Sequence, residues 1–167
     1  MVKKQFTHVD KVGRLRMVDV SKKRPTRRSA EASCVVRTTA DLSALTPNEQ
    51  GIEPIHAARL AGVMAAKQTA DLIPLCHPLA LSDVDVVITS STRGLEVSSS
   101  VVTVDHTGVE MEALTACTVA ALSLVNALIK DDPHAQIDDL ALLRKTGGRS
   151  GDWGRLVPPT STGTSPE

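Results

Sequence analysis

The stretch from Thr107 to Lys130 limits the choice of fold most strongly. Leu114, Cys117, Ala121, Leu124 and Leu128 recur at helical spacing and form one apolar stripe. Met111, Thr115, Thr118, Leu122, Val125 and Ile129 form a second stripe beside it. A helix apolar over so wide an arc has more than one face to bury. One face can cover a sheet of its own chain, and the other suggests a subunit interface. Thr107 and Glu110 stand at capping-box spacing and are expected to start the helix. Asp131-Asp132-Pro133 ends it.

The sheet that this helix needs is legible on both sides of it. Glu31–Thr38 is rich in β-branched residues and is expected to be a strand. Asp41 to Gly51 is turn-rich, with a helical turn near Leu42–Leu45. Pro54 suits a first helical position, and a small-sided helix follows from Ile55 to about Ala70, carrying Ala57, Ala58, Ala61, Gly62, Ala65 and Ala66. Asp83–Thr89 and Leu95–Val104, joined by Ser90–Gly94, read as an antiparallel hairpin. Ile137–Leu143 reads as a last strand. The order strand, helix, strand, strand, helix, strand predicts an α+β fold. It is the ferredoxin-like βαββαβ arrangement, an antiparallel sheet with two helices packed on one face. Phe6 and Trp153 are the only aromatic residues, so the core has to be Val, Leu, Ile and Ala.

Length and composition exclude several classes. At 167 residues, the expectation is a single domain over residues 1–156, with a disordered tail over 157–167 rich in Pro, Thr and Ser. Acids and bases balance at 19 each, which provides no bulk field for nucleic acid or a membrane surface. The scarcity of aromatics argues against base-stacking platforms. No apolar run reaches the ~18 residues of a bilayer span, and the first residues lack a signal-peptide core. The chain reads as cytoplasmic, with neither nucleic acid nor membrane as partner. Cys34, Cys76 and Cys117 are odd in number and far apart, which disfavours a disulfide framework or a structural zinc site.

Chemistry is most expected in the segment Lys67–Leu79. Pro74 and Pro78 bracket Leu75-Cys76-His77 and are expected to hold them on a stiff, extended backbone. A lone histidine is more often a structural group bonded to backbone. His77 is also suited to move a proton or, when charged, to hold a phosphate. Zinc binding by Cys76 and His77 lacks further ligands nearby. Lys67 is either a charge complementing the helix C-terminus or a cation serving this loop. Glu110 is first of all the capping-box acid. Glu112 lies roughly 200° around the helix from it, so the two carboxylates are expected to face different sides. Met111 between them reads as core. Lys22-Lys23-Arg24-Pro25-Thr26-Arg27-Arg28 is a solvated arm or an anion-binding strap. Lys145–Asp152 is Gly-rich and basic, does not match the nucleotidase phosphate loop, and reads equally as a mobile tail.

Four segments, in order, carry a closer likeness. Met17–Ser21, Ala65-Ala66-Lys67 with Leu72–Leu79, Thr107–Ala116 and Gly147–Gly151 closely resemble the MoaC family, the cyclic pyranopterin monophosphate synthases of molybdenum cofactor biosynthesis. The resemblance runs to about Trp153. It implies a lyase that converts 3′,8-cyclo-7,8-dihydro-GTP to cyclic pyranopterin monophosphate with release of pyrophosphate. It also implies a ferredoxin-like fold and a homo-oligomer, a hexamer built from dimers, with active sites between subunits. Lys67, His77, Glu110 and Lys145 match catalytic-pocket positions. Leu75, Cys76, His77, Met111 and Glu112 match substrate-contact positions, and Arg28 matches a basic residue near the triphosphate. No cofactor or protein-held metal is implied, although magnesium can accompany the triphosphate. Where the family has Asp-x-x-Lys late in the second helix, this chain has Asn126-Ala127-Leu128-Ile129, with Lys130 one residue on. Gln50 stands in place of a loop lysine. These departures give the alternative reading: a catalytically impaired MoaC-like paralogue acting as a ligand-binding or assembly partner.

Overall fold

The computed structural model describes residues 8–10, 12–45 and 53–155. Phe6, Gln50 and the tail expected over 157–167 lie outside the described residues. Strand β1 (Thr26–Arg37) is central, flanked by β3 (Gly94–Asp105) on one side and β4 (Gln136–Thr146) on the other. Strand β2 (Leu81–Ser91) lies outside β3, and a short β5 (Trp153–Gly154) lies outside β4. All pairings are antiparallel, in the order β2-β3-β1-β4-β5. Helix α1 (Pro54–Lys67), a single turn α2 (Thr69–Leu72), helix α3 (Glu110–Leu128) and a 3-10 turn at Leu42–Leu45, where the sequence reading expected a helical turn, are the other elements among the described residues. The first four strands and the two long helices follow the ferredoxin-like order expected from the sequence. The sequence reading missed β5 and α2.

The core forms where the sequence periodicities meet. Alternate residues of β3 (Leu95, Val97, Ser99, Val101 and Thr103) are buried, as are Ala30, Ala32, Cys34 and Val36 of β1. They face Ala113, Ala116, Cys117, Ala120, Ala121, Leu124 and Leu128 of α3. The second α3 stripe behaves differently. Met111, Leu122 and Ile129 are exposed, with Leu122 at 53%. Thr115 of the same stripe is buried and Val125 packs against the core, so among the described residues the uncovered part is Met111, Leu122 and Ile129. Helix α1 lies against α3 and β2 and comes close because its contact side is small. A Cβ on Gly62 would sit 2.8 Å from the Ala116 carbonyl oxygen.

Several local expectations are corrected. Strand β1 starts at Thr26 rather than Glu31, so Arg27 and Arg28 are strand residues and not part of a free arm. Their side chains alternate across the sheet. The helix expected to run to Ala70 breaks at Gln68, whose N–H bonds back to the Ala65 carbonyl before α2 begins. Thr107 does not cap α3. The cap position is Val109, with no side-chain cap bond, and the Glu110 carboxylate folds back over Gly108 instead. The backbone at Leu75 is not extended. Its φ is +67°, and the Cys76 N–H bonds the Ile73 carbonyl, which closes a turn with Pro74 and Leu75 at its centre. This is the geometry of a type II turn, where Pro suits the first central position and the second requires positive φ. Finally, α3 has the length and hydropathy of a bilayer span, contrary to the sequence reading, although half of it is buried within the chain.

Candidate active site

One end of the sheet gathers four element ends. Strand β1 begins there, with Thr26 opposite Asp105 at the end of β3. Strand β4 ends there, with Thr146 opposite Ser29. Helix α3 starts there, pointing its free N–H groups and positive dipole end at the same space. The turn through Pro74 and the strap over residues 17–23 close the sides. The resulting cavity has a volume of about 550 Å³, in the range of small-molecule sites.

Each wall contributes a distinct chemistry. Lys23, Arg28, Lys145 and Arg149 supply cations from the strap, β1, β4 and the Gly-rich loop. Arg28 is held from two sides. Its Nε donates to the Thr26 hydroxyl at 2.8 Å and one terminal nitrogen donates to the His106 carbonyl at 3.3 Å. Gly148 leaves room for it, since a Cβ there would collide with the guanidinium. Lys145 Nζ donates to Glu110 Oε1 at 3.1 Å and to Ser150 Oγ at 3.0 Å. Glu110 is therefore the partner of a cavity lysine rather than a helix cap. His77 Nε2 lies 2.9 Å from the Val18 carbonyl oxygen. A carbonyl only accepts, so Nε2 carries the proton and Nδ1 is free to take one.

Glu112 is the most perturbed carboxylate in the cavity. It is 4% exposed, and burial pushes its pKa up to about 7; its own backbone N–H opposes the shift and the neighbouring Glu110 charge adds to it. The Cys76 thiol is likewise pushed up, mainly by burial and then by the Glu112 charge, which disfavours its thiolate. Glu110 and Glu112 both line the cavity despite their angular separation. The cavity meets the helix end-on, so first-turn residues on different sides can reach it.

Arg28, Leu75, Cys76, His77, Glu110, Met111, Glu112 and Lys145 all line this one cavity. Met111, expected from its pattern to be core, is 37% exposed at the cavity wall. Lys67 is not in the main cavity. It lines a smaller chamber of about 100 Å³ behind the wall, shared with His77 and Glu112. Asn126 and Ile129 are exposed near the other end of α3, about 24 Å and about 28 Å along the helix from Glu110. They can border a cavity of this kind only if it is on another copy of the chain. His8 and Ser29 also line the cavity, and no sequence signal picked them out as site residues. Lys23 lay in the basic cluster, and Arg149 lay in a loop that read equally as a tail. That loop is ordered by Asp152, which accepts the Gly147 N–H at 2.8 Å.

Residues 17–148 match the MoaC family. The chain belongs to the MoaC family. Its curated relatives include cyclic pyranopterin monophosphate synthase 2 of Mycobacterium tuberculosis (strain ATCC 25618 / H37Rv), 47% identical over 153 residues, covering 90% of this chain and 92% of the relative. The cyclic pyranopterin monophosphate synthase of Streptomyces griseus is 45% identical over 157 residues, covering 92% and 88%. That of Nocardioides sp. is 46% identical over 158 residues, covering 91% and 96%. The matched MoaC span includes the strap, both long helices, the proline turn and β4, and thus most of the cavity wall.

Proposed function

We propose that this chain is a cyclic pyranopterin monophosphate synthase, a lyase that turns 3′,8-cyclo-7,8-dihydro-GTP into cyclic pyranopterin monophosphate and pyrophosphate for molybdenum cofactor biosynthesis. The observation that carries the reading is the cavity of a MoaC-family chain that sets four cations against a histidine and a half-neutral carboxylate. A triphosphate needs the first set, and a purine-to-pterin rearrangement needs the second.

In this reading Lys23, Arg28, Lys145 and Arg149 hold the triphosphate and offset the charge that develops as pyrophosphate leaves. Magnesium arrives, if at all, with the triphosphate. Among the described residues no group of three or more His, Cys, Asp or Glu is placed to hold a metal. Leu75, Cys76 and Met111 contact the base. His77, with Nδ1 free, accepts a proton during ring rearrangement. Glu110 keeps Lys145 in place. The working form in this reading is a homohexamer built from dimers, in the cytoplasm. The uncovered α3 stripe supplies an interface, and a neighbouring copy brings the Asn126–Lys130 end of its α3 to the cavity.

The test is turnover of the cyclised GTP intermediate by the purified chain, with Arg28→Ala alongside. The wild type is expected to release pyrophosphate and cyclic pyranopterin monophosphate. Arg28→Ala is expected to weaken intermediate binding by about 1.5–3 kcal/mol, the value of a charged hydrogen bond. Tight binding without product would instead identify an impaired paralogue.

A further inference from the structure

The main cavity and the small chamber behind it share a wall, and Glu112 lines both of them. We propose that Glu112 is the residue through which protons pass between the bound substrate and bulk water, with the chamber under Lys67 and Asp71 as its port. The inference rests on the synthase reading and adds a route to it.

The geometry supports the proposal in three ways. Glu112 is buried in the first turn of α3, with 4% of its surface exposed. The chamber, at about 100 Å³, has room for several waters. Its outer rim carries Lys67 from α1 and Asp71 from α2, both exposed. With substrate in the main cavity, the chamber is the other space that Glu112 lines. The groups that face Glu112 are Cys76 and His77 from the turn segment, Glu110 from its own helix, and Lys67 and Asp71 across the chamber. The thiol stays neutral and the lysine and aspartate are solvated. Burial, with the Glu110 charge adding to it, raises the Glu112 pKa to about 7, so the carboxylate at the wall changes protonation near neutral pH. The step balances simply. A proton leaves the substrate for a Glu112 carboxylate oxygen, the same proton passes to chamber water, and no oxidant or co-reactant is needed.

The test is single turnover of the cyclised GTP intermediate. Glu112→Gln keeps the shape and removes the proton exchange. It is expected to bind the intermediate within about threefold of wild type and to form product about 10²-fold more slowly. Glu112→Ala is expected to regain rate when formate is added, because the small carboxylate enters through the chamber. Ala70→Leu narrows that chamber and is expected to abolish the formate rescue, with melting curves confirming the fold and Ala70→Val as the milder plug. Wild-type rates for Glu112→Gln, or rescue that ignores the plug, would overturn the port. A wild type that binds the intermediate without turning it over would overturn the synthase reading as well, so the two failures are distinguishable.

Discussion

At the residue scale, Glu112 makes stability depend on pH in a direction opposite to most carboxylates. Its folded pKa, about 7, is above the ordinary value of 4.5. Between those values the folded state binds the extra proton. The contribution is therefore fully present below pH 4.5 and is lost as pH rises through 7. The shift corresponds to about 3 kcal/mol as an upper figure. Glu112→Gln should remove most of it, so urea midpoints of variant and wild type should converge at low pH and favour the variant at pH 8. Asp132 behaves in the usual way. The Thr39 N–H, the Thr38 hydroxyl and the His134 N–H hold it down to about 2, and its contribution is lost only as pH falls through that value. At this scale the sequence identified most cavity residues through family motifs, but not their partners. Glu110 was legible as an acid at a helix start. Its pairing with Lys145 depends on β4 ending beside α3, which no local pattern records. Leu75 was misread for a related reason. Two prolines imply extended geometry, yet the Ile73–Cys76 hydrogen bond selects a turn whose positive φ a leucine occupies at a cost of about 1 kcal/mol or more.

At the scale of elements, the contact between α1 and α3 depends on the absence of a side chain. A Cβ at Gly62 meets Ala116 backbone at 2.8 Å and Val86 Cγ2 at 3.1 Å. Gly62→Val should therefore lower stability by about 2 kcal/mol through overpacking, read as a lower urea midpoint with unchanged slope. The small-residue run made this helix predictable from sequence, since few other packings use so many alanines. The element ends were less legible. Strand β1 extends back to Thr26 because β3 and β4 are there to pair with it, and this tertiary pairing overrides the polar, basic composition of Thr26–Ser29. That extension is what places Arg28 in the cavity. Strand β5 is too short to leave a pattern.

At the scale of the whole molecule, the second α3 stripe and the distance of Asn126 and Ile129 from the cavity point to the same arrangement. In the proposed hexamer the exposed stripe is covered, and one copy's helix end completes another copy's site. Sedimentation should then show a stable oligomer, and Leu122→Glu should shift it toward smaller species. Asn126→Asp combined with Ile129→Lys restores an acid and a cation that the family carries there. It should raise turnover about tenfold or more if those groups cross the subunit boundary. The βαββαβ order was legible because each element has its own period. The wide apolar arc of α3 was legible, but the distance of its far end from the chain's own cavity follows only from where the helix starts. The most direct measurement of the central claim is product analysis after mixing the assembled wild type with 3′,8-cyclo-7,8-dihydro-GTP. The account predicts cyclic pyranopterin monophosphate and pyrophosphate in equal amounts, and binding of the intermediate with neither product would contradict it.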